Sequence, residues 1–165
     1  MQKKVLIVLI LSILISSFTS INLIDNLQGN AKVINYTGVV RGASQRLVKQ
    51  ELSGIENNSL VMQLDEIIEE LQAGEGDIGL VRLDSDQYQS LLQELKTDWD
   101  RIKQEIKTVR AGGDSKKLYT YSEEFFNLAN DAVQIAEVTT EQNVFEAQMF
   151  LIVLNGVFSI LAILF

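Results

Sequence analysis

Apolar positions in this chain follow two regimes. At the ends they are continuous: Val5–Phe18 (VLIVLILSILISSF) carries no charge, and the uncharged stretch continues to Ile24. The far end, Met149–Phe165 (MFLIVLNGVFSILAILF), is uncharged as well. A bilayer core needs about 20 mostly apolar residues as a helix. The two ends therefore predict two transmembrane helices. A cleaved signal peptide shares the basic start and apolar centre. Here Ser16-Ser17-Phe18-Thr19-Ser20 matches a small-x-small cleavage site poorly, and the apolar pattern runs past it.

Between the ends, apolar residues recur at steps of three and four, the period of a helix with one buried face. On the first helix Ile24, Leu27, Ala31, Ile34, Gly38, Arg41, Gln45, Val48 and Leu52 make such a seam, of the kind that pairs helices in coiled coils. A second stripe of Val33, Val40 and Leu47 lies beside it and can face another helix. A short second helix carries Leu60, Leu64, Ile67 and Leu71 on one face. The third has the cleanest period: Tyr88, Leu92, Leu95, Trp99, Ile102, Ile106 and Val109. On the fourth, Leu118, Tyr121, Phe125, Leu128, Ala132, Ile135 and Thr139 continue the pattern towards the second apolar run.

The breaks agree with this division. Ser53-Gly54-Ile55-Glu56-Asn57-Asn58 ends the first helix, and Ser59 is placed to cap the second. Ala73-Gly74-Glu75-Gly76-Asp77-Ile78-Gly79 interrupts the pattern, and Asp84 or Ser85 starts the third helix. Gly112-Gly113-Asp114-Ser115 separates the third from the fourth. The predicted fold is all-α: an antiparallel four-helix bundle flanked by two transmembrane helices. The expected divisions are a cytoplasmic N-terminus at 1–4, a membrane helix at 5–24, an extracytoplasmic bundle at 25–146 and a second membrane helix at 147–165. Lys3 and Lys4 put the N-terminus inside by the positive-inside rule. The second apolar run has no basic flank after it, which points to a fragment of a longer receptor whose output module follows.

Composition narrows the function. There is no histidine, cysteine or proline among the 165 residues. That removes thiol nucleophiles, histidine-dependent triads, and the usual zinc, haem and iron–sulfur sites. Without proline, long helices can run unbroken. The formal charge is −8; with Lys3 and Lys4 set aside, 12 Lys/Arg remain of 14 against 22 Asp/Glu, a net −10. Such a balance excludes nucleic acid as a partner, since phosphate binding needs a basic stripe. The Gly-x-Gly at 74–76 is no phosphate loop, because no Lys-Ser/Thr follows it. Glu69-Glu70 and Glu123-Glu124 are adjacent rather than convergent, so solvated helix faces account for them. No cofactor, no metal site and no catalytic residues are expected.

Arg41 is the residue that composition leaves unexplained. It sits in the first seam between Ile34 and Val48, with Gly38 one turn before it. An unpaired buried guanidinium is costly. Two readings follow: a carboxylate from another helix neutralises it, or a small anion does, with Gly38 opening space beside the guanidinium. Arg46 lies off the seam, where a salt bridge or exposure explains it. Asn35 either bonds across helices or faces solvent.

The segment Ile34–Lys49 carries Asn-x-x-Gly-x-x-Arg-x-x-Ser-x-Arg-Leu, matched by Asn35, Gly38, Arg41, Ser44, Arg46 and Leu47. It resembles the first helix of the type IV pili methyl-accepting chemotaxis transducer N-terminal domain. It is similar also to the periplasmic segment of nitrate/nitrite sensor kinases. Gln45-Arg46 and Lys49 resemble the pili-transducer form more closely, whereas Gly42 departs from the larger apolar residue usual there. The resemblance covers about 16 residues closely and the remainder by architecture. It implies a homodimer in which the arginine matching Arg41 comes from both subunits and holds one anion on the two-fold axis, beside the glycine matching Gly38. The implied ligand-binding set is Arg41, Gly38, Ser44, Asn35 and Gln45.

Taken together, the expected function is the extracytoplasmic sensor region of a bacterial membrane receptor. It binds a small nitrate- or nitrite-like anion at a dimer interface. The signal passes through the membrane helices to a diguanylate cyclase, histidine kinase or chemotaxis module. The alternative is a membrane-anchored structural or protein-interaction bundle with no small ligand.

Overall fold

The computed structural model describes the backbone of residues 2–164, with the side chains of residues 2–4, 8, 162 and 164 outside the described set. The basic flank at Lys3-Lys4 and the last residue of the second apolar run therefore lie outside the described side chains. Four helices account for the secondary structure of the described residues: α1 (Gln2–Leu52), α2 (Asn58–Ala73), α3 (Asp86–Arg110) and α4 (Lys116–Leu164). The chain divides into two compact units, residues 1–29 with 140–165, and residues 30–139.

The 30–139 unit is the helical bundle, and its cross-helix contacts fix the direction of each helix. Asp65 and Gln72 of α2 meet Trp99 and Leu92 of α3, so these two helices run antiparallel. Gln45 and Arg41 of α1 meet Ser122 and Asn130 of α4, again antiparallel. Thr37 and Glu51 of α1 meet Tyr88 and Arg110 of α3, which makes that pair parallel. Up-down-up-down order follows, as the short connections require.

Burial supplies the driving force, and it selects one stripe per helix. On α3 the core stripe is Tyr88, Leu92, Leu95, Trp99, Ile102 and Ile106, each wholly or almost wholly buried. On α2 it is Leu60, Leu64, Ile67, Ile68 and Leu71. On α1 the inward stripe is Val33, Thr37, Val40, Ser44, Leu47 and Glu51. The expected seam on α1 faces elsewhere: Ile34, Gly38, Arg41 and Gln45 are half-buried, and among its members in this unit only Val48 is fully buried. On α4 the core stripe is Leu118, Ser122, Phe125, Ala129, Ala132 and Ala136. It shares Leu118, Phe125 and Ala132 with the expected seam, and elsewhere is shifted by one residue towards smaller side chains.

Polar groups inside the bundle are paired. Among the described residues no buried side-chain nitrogen or oxygen lacks a hydrogen-bond partner. Thr37 gives its proton to the Val33 carbonyl at 2.9 Å, so the 2.6 Å contact with Tyr88 has the phenol donating to Thr37 Oγ1. Burial pushes the Tyr88 phenol up to about 12, which keeps that donor in place.

The ends and loops are held by specific groups. Asn57, not Ser59, caps α2, its side chain accepting from Leu60 N at 3.0 Å, while Ser59 donates to Asn57. Ser85 caps α3. Gly74 closes α2 in the left-handed region at φ 73, with its N–H donating to Glu70 O. Glu70 itself is a correction to the sequence reading. It is buried rather than solvated, and its carboxylate accepts from Ile78 N at 2.9 Å and Leu80 N at 2.7 Å. Although burial raises its pKa, these backbone donors, aided by Lys32, leave it below the ordinary glutamate value. A side chain at Gly76 would collide with that carboxylate, its Cβ falling 2.4 Å from Oε2.

The other unit holds the two apolar runs. Both lie in helices long and apolar enough to cross a membrane, and those stretches are almost entirely exposed. Within it Ser16 Oγ donates to Asn155 Oδ1 at 3.0 Å, and Asn155 Nδ2 donates to Leu151 O at 2.8 Å.

Candidate functional site

The five residues singled out by the resemblance do not all face one way. Gly38, Arg41 and Gln45 follow one another at steps of three and four, so they share a face of α1. That face is half-buried in this single chain. Ser44 belongs to the inward stripe: it is 1% exposed and donates to the Arg41 carbonyl of its own helix at 3.0 Å. Asn35 is exposed. The structure thus brings Gly38, Arg41 and Gln45 together, with Ser44 packed behind them and Asn35 apart.

Arg41 reaches across to α4. Its Nη1 donates to Asn130 Oδ1 at 2.7 Å, and its guanidinium carbon lies 5.9 Å from the centre of the Phe126 ring. One turn further along α1, Gln45 Nε2 donates to the Ser122 carbonyl at 2.7 Å. Among the described residues no carboxylate forms an ion pair with Arg41, although Arg101, Lys103 and Arg110 each pair with two. The expected alternatives were a carboxylate or an anion. Within this chain the hydrogen-bond partner of Arg41 is a neutral carboxamide, its guanidinium lies over an aromatic ring, and no carboxylate matches its positive charge.

Gly38 adds a second feature. A Cβ built there meets nothing within 4 Å, and the same holds at Gly42. Glycine inside a helix costs about 0.5–1 kcal/mol relative to alanine. No contact within the chain offsets that cost at either position. Asn130 and Phe126 carry no motif and escape a reading of the sequence alone. They become legible once the Gln45–Ser122 register is known, because α1 and α4 are antiparallel and one turn back from Gln45 corresponds to one or two turns forward from Ser122.

A groove of about 540 Å³ runs along α2, lined by Asp65, Glu66, Glu69, Glu70, Glu75 and Asp77 among others. Its carboxylates would repel an anion. Among the described residues no group of three or more acidic side chains is placed to hold a metal ion. That groove is separate from the Arg41 face in both position and charge.

Comparison with known proteins resolves the class. The model of the PilJ family, the type IV pili methyl-accepting chemotaxis transducer N-terminal domain, matches residues 23–125. The chain belongs to this family. It is accordingly a non-catalytic sensor region of the chemoreceptor type. Among solved structures, the ligand-binding domain of the P. aeruginosa nitrate receptor McpN matches with a TM-score of 0.57 at 20% identity. The match covers 65% of this chain and 94% of that one, and at this identity it shows a common fold. No curated protein sequence matches the chain. The PilJ match spans the whole Gly38–Arg41–Gln45 face and reaches α4 as far as Phe125.

Proposed function

We propose that this PilJ-family chain is the extracytoplasmic sensor region of a membrane receptor. On this reading it binds a small planar anion, nitrate or nitrite in type, between two copies of itself. The observation that carries it is Arg41: a half-buried guanidinium, held by a neutral acceptor, beside a glycine that leaves open space. Two such faces brought together would set two like charges opposite each other, and an anion between them turns repulsion into attraction. Each guanidinium offers paired donors suited to a planar oxyanion. Occupancy would then change the spacing of the α1 helices. The nitrate specificity of McpN belongs to that receptor, and here it supports the choice of anion class.

Residues 5–24 and 147–165 serve in this proposal as the membrane-crossing segments. In the same proposal the receptor's output is of chemotaxis, kinase or cyclase type. Gly38 lines the site and Gln45 borders it. Ser44 acts from behind by fixing the α1 backbone, and Asn35 stands at the rim.

The test is calorimetric titration of the full chain in nanodiscs with nitrate, nitrite and chloride, beside Arg41→Ala. Saturable nitrate or nitrite binding is expected, and Arg41→Ala should remove it while the helical spectrum is unchanged. A folded wild-type chain that binds none of the three would overturn the anion reading and leave the structural bundle without a small ligand. Gly38→Ala gives a second, opposed pair of readouts. Because the added Cβ meets nothing within the chain, helix propensity should stabilise the unliganded monomer by about 0.5–1 kcal/mol. The same methyl group should weaken nitrate binding, and unaltered binding would remove Gly38 from the site.

A further inference from the structure

We infer that Asn130 of α4 is a positioning residue for the anion site: it aims the Arg41 guanidinium while leaving its charge unspent. The inference rests on the anion reading above. Its basis is the 2.7 Å hydrogen bond from Arg41 Nη1 to Asn130 Oδ1, with the Phe126 ring 5.9 Å from the guanidinium carbon. A free arginine side chain samples many rotamers, and fixing it on ligand binding costs affinity. Here one nitrogen is already tied to α4 and the guanidinium lies over an aromatic ring, so the remaining N–H donors are restricted in direction before a ligand arrives.

The chemistry of the acceptor matters as much as its position. A carboxylate could make the same hydrogen bond, but it would neutralise the guanidinium and repel an incoming anion. Asparagine gives the geometry without the charge. Carboxylates are abundant on this chain, with 22 Asp/Glu, and one lies at the very next position, Asp131. Asp131 is exposed and forms no ion pair with Arg41 among the described residues. The acidic surface is thus kept off the one arginine proposed to meet an anion. Since Asn130 belongs to α4, the contact also ties the proposed ligand residue on α1 to a second helix of the bundle.

The decisive experiment compares Asn130→Asp with Asn130→Ala in the full chain, reading nitrate affinity by calorimetry and thermal stability without ligand. Asparagine to aspartate is nearly isosteric. If Asn130 only packs or bridges helices, aspartate is the milder change, and stability and affinity move together. The positioning role predicts the reverse order for affinity. Asn130→Asp should weaken nitrate binding on the order of 30- to 100-fold, from a unit charge about 6 Å from the anion at intermediate dielectric. Asn130→Ala should weaken it only about 2- to 10-fold, the cost of re-ordering one long side chain. In the absence of nitrate, Asn130→Asp should melt at or above the wild-type temperature, because it gains an ion pair with Arg41. Wild-type binding that survives Asn130→Asp overturns this inference alone. Wild-type protein that binds no nitrate overturns it together with the anion reading.

Discussion

Trp99→Ala is expected to destabilise the bundle by about 4 kcal/mol, the typical cost of deleting a buried aromatic ring. For a unit of this size that corresponds to a fall in melting temperature of roughly 15 °C. Trp99 is fully buried at the middle of α3, its ring centre 6.0 Å from that of Phe125 on α4. Its indole Nε1 donates to Asp65 Oδ1 at 2.7 Å, and Asp65 also accepts from Lys103 Nζ at 2.6 Å. One side chain therefore joins α2, α3 and α4. Trp99→Phe restores most of the volume but not the donor, and should cost about 1–2 kcal/mol. Thermal unfolding followed by far-UV circular dichroism separates these values. A loss below about 1.5 kcal/mol for Trp99→Ala would mean that the neighbouring helices collapse into the vacated space.

That core position was legible in the sequence, and so was all of α3. Its apolar residues follow a single stripe, and nothing on the rest of the helix competes with it. On α1 two stripes compete, and periodicity gives no ground for choosing between them. The inward one includes Thr37, Ser44 and Glu51, side chains that hydropathy ranks as surface. They are buried because each has a hydrogen-bond acceptor or donor in reach: Val33 O, Arg41 O and Arg110 respectively. On α4 the inward stripe is rich in alanine, which lets helices approach closely but hardly registers beside Tyr121, Leu128 and Ile135 in a hydropathy pattern. The helices, their order and their breaks were thus readable. Rotation about the axes of α1 and α4 was set by polar pairing and side-chain size.

The candidate site divides in the same way. Arg41 and Gly38 lie on one helix, and local spacing is enough to place them side by side. Asn130 is 89 residues away, and its contact exists only because α1 and α4 pair in a particular register. No local signal marks it. Glu70 shows the complementary limit. As one of two adjacent glutamates it reads as a solvated surface residue, yet the chain turns back at 74–80 and wraps backbone N–H groups around it. Long-range topology decided the role of each.

Arg110→Ala should cost about 3 kcal/mol at neutral pH, close to the cost of stranding a buried charge. Glu51, at the end of α1, is 3% exposed, and Arg110 grips it with two hydrogen bonds: Nε to Oε2 at 2.8 Å and Nη2 to Oε1 at 2.5 Å. Asn57 N adds a third donor at 3.2 Å. Chiefly through the Arg110 hydrogen bonds, and against the effect of burial, the Glu51 carboxyl is held below its ordinary value of 4.5. A carboxyl depressed by folding stabilises the native state above its unfolded pKa, and that contribution is lost as pH falls through the folded one. Wild-type stability should therefore decline as the pH drops below about 4.5. In Arg110→Ala the same carboxylate is left without its guanidinium, burial then dominates, and its pKa rises. The variant's deficit should consequently shrink in acid, where protonation removes the stranded charge. Glu51→Gln placed in the Arg110→Ala background should recover stability at neutral pH for the same reason, since a neutral amide is less costly to bury than an unpaired ion. Urea unfolding at pH 7 and pH 4 gives all of these quantities. A deficit for Arg110→Ala that is identical at both values, with no recovery by Glu51→Gln, would show that Arg110 acts through packing of its stem and not through the carboxylate it grips.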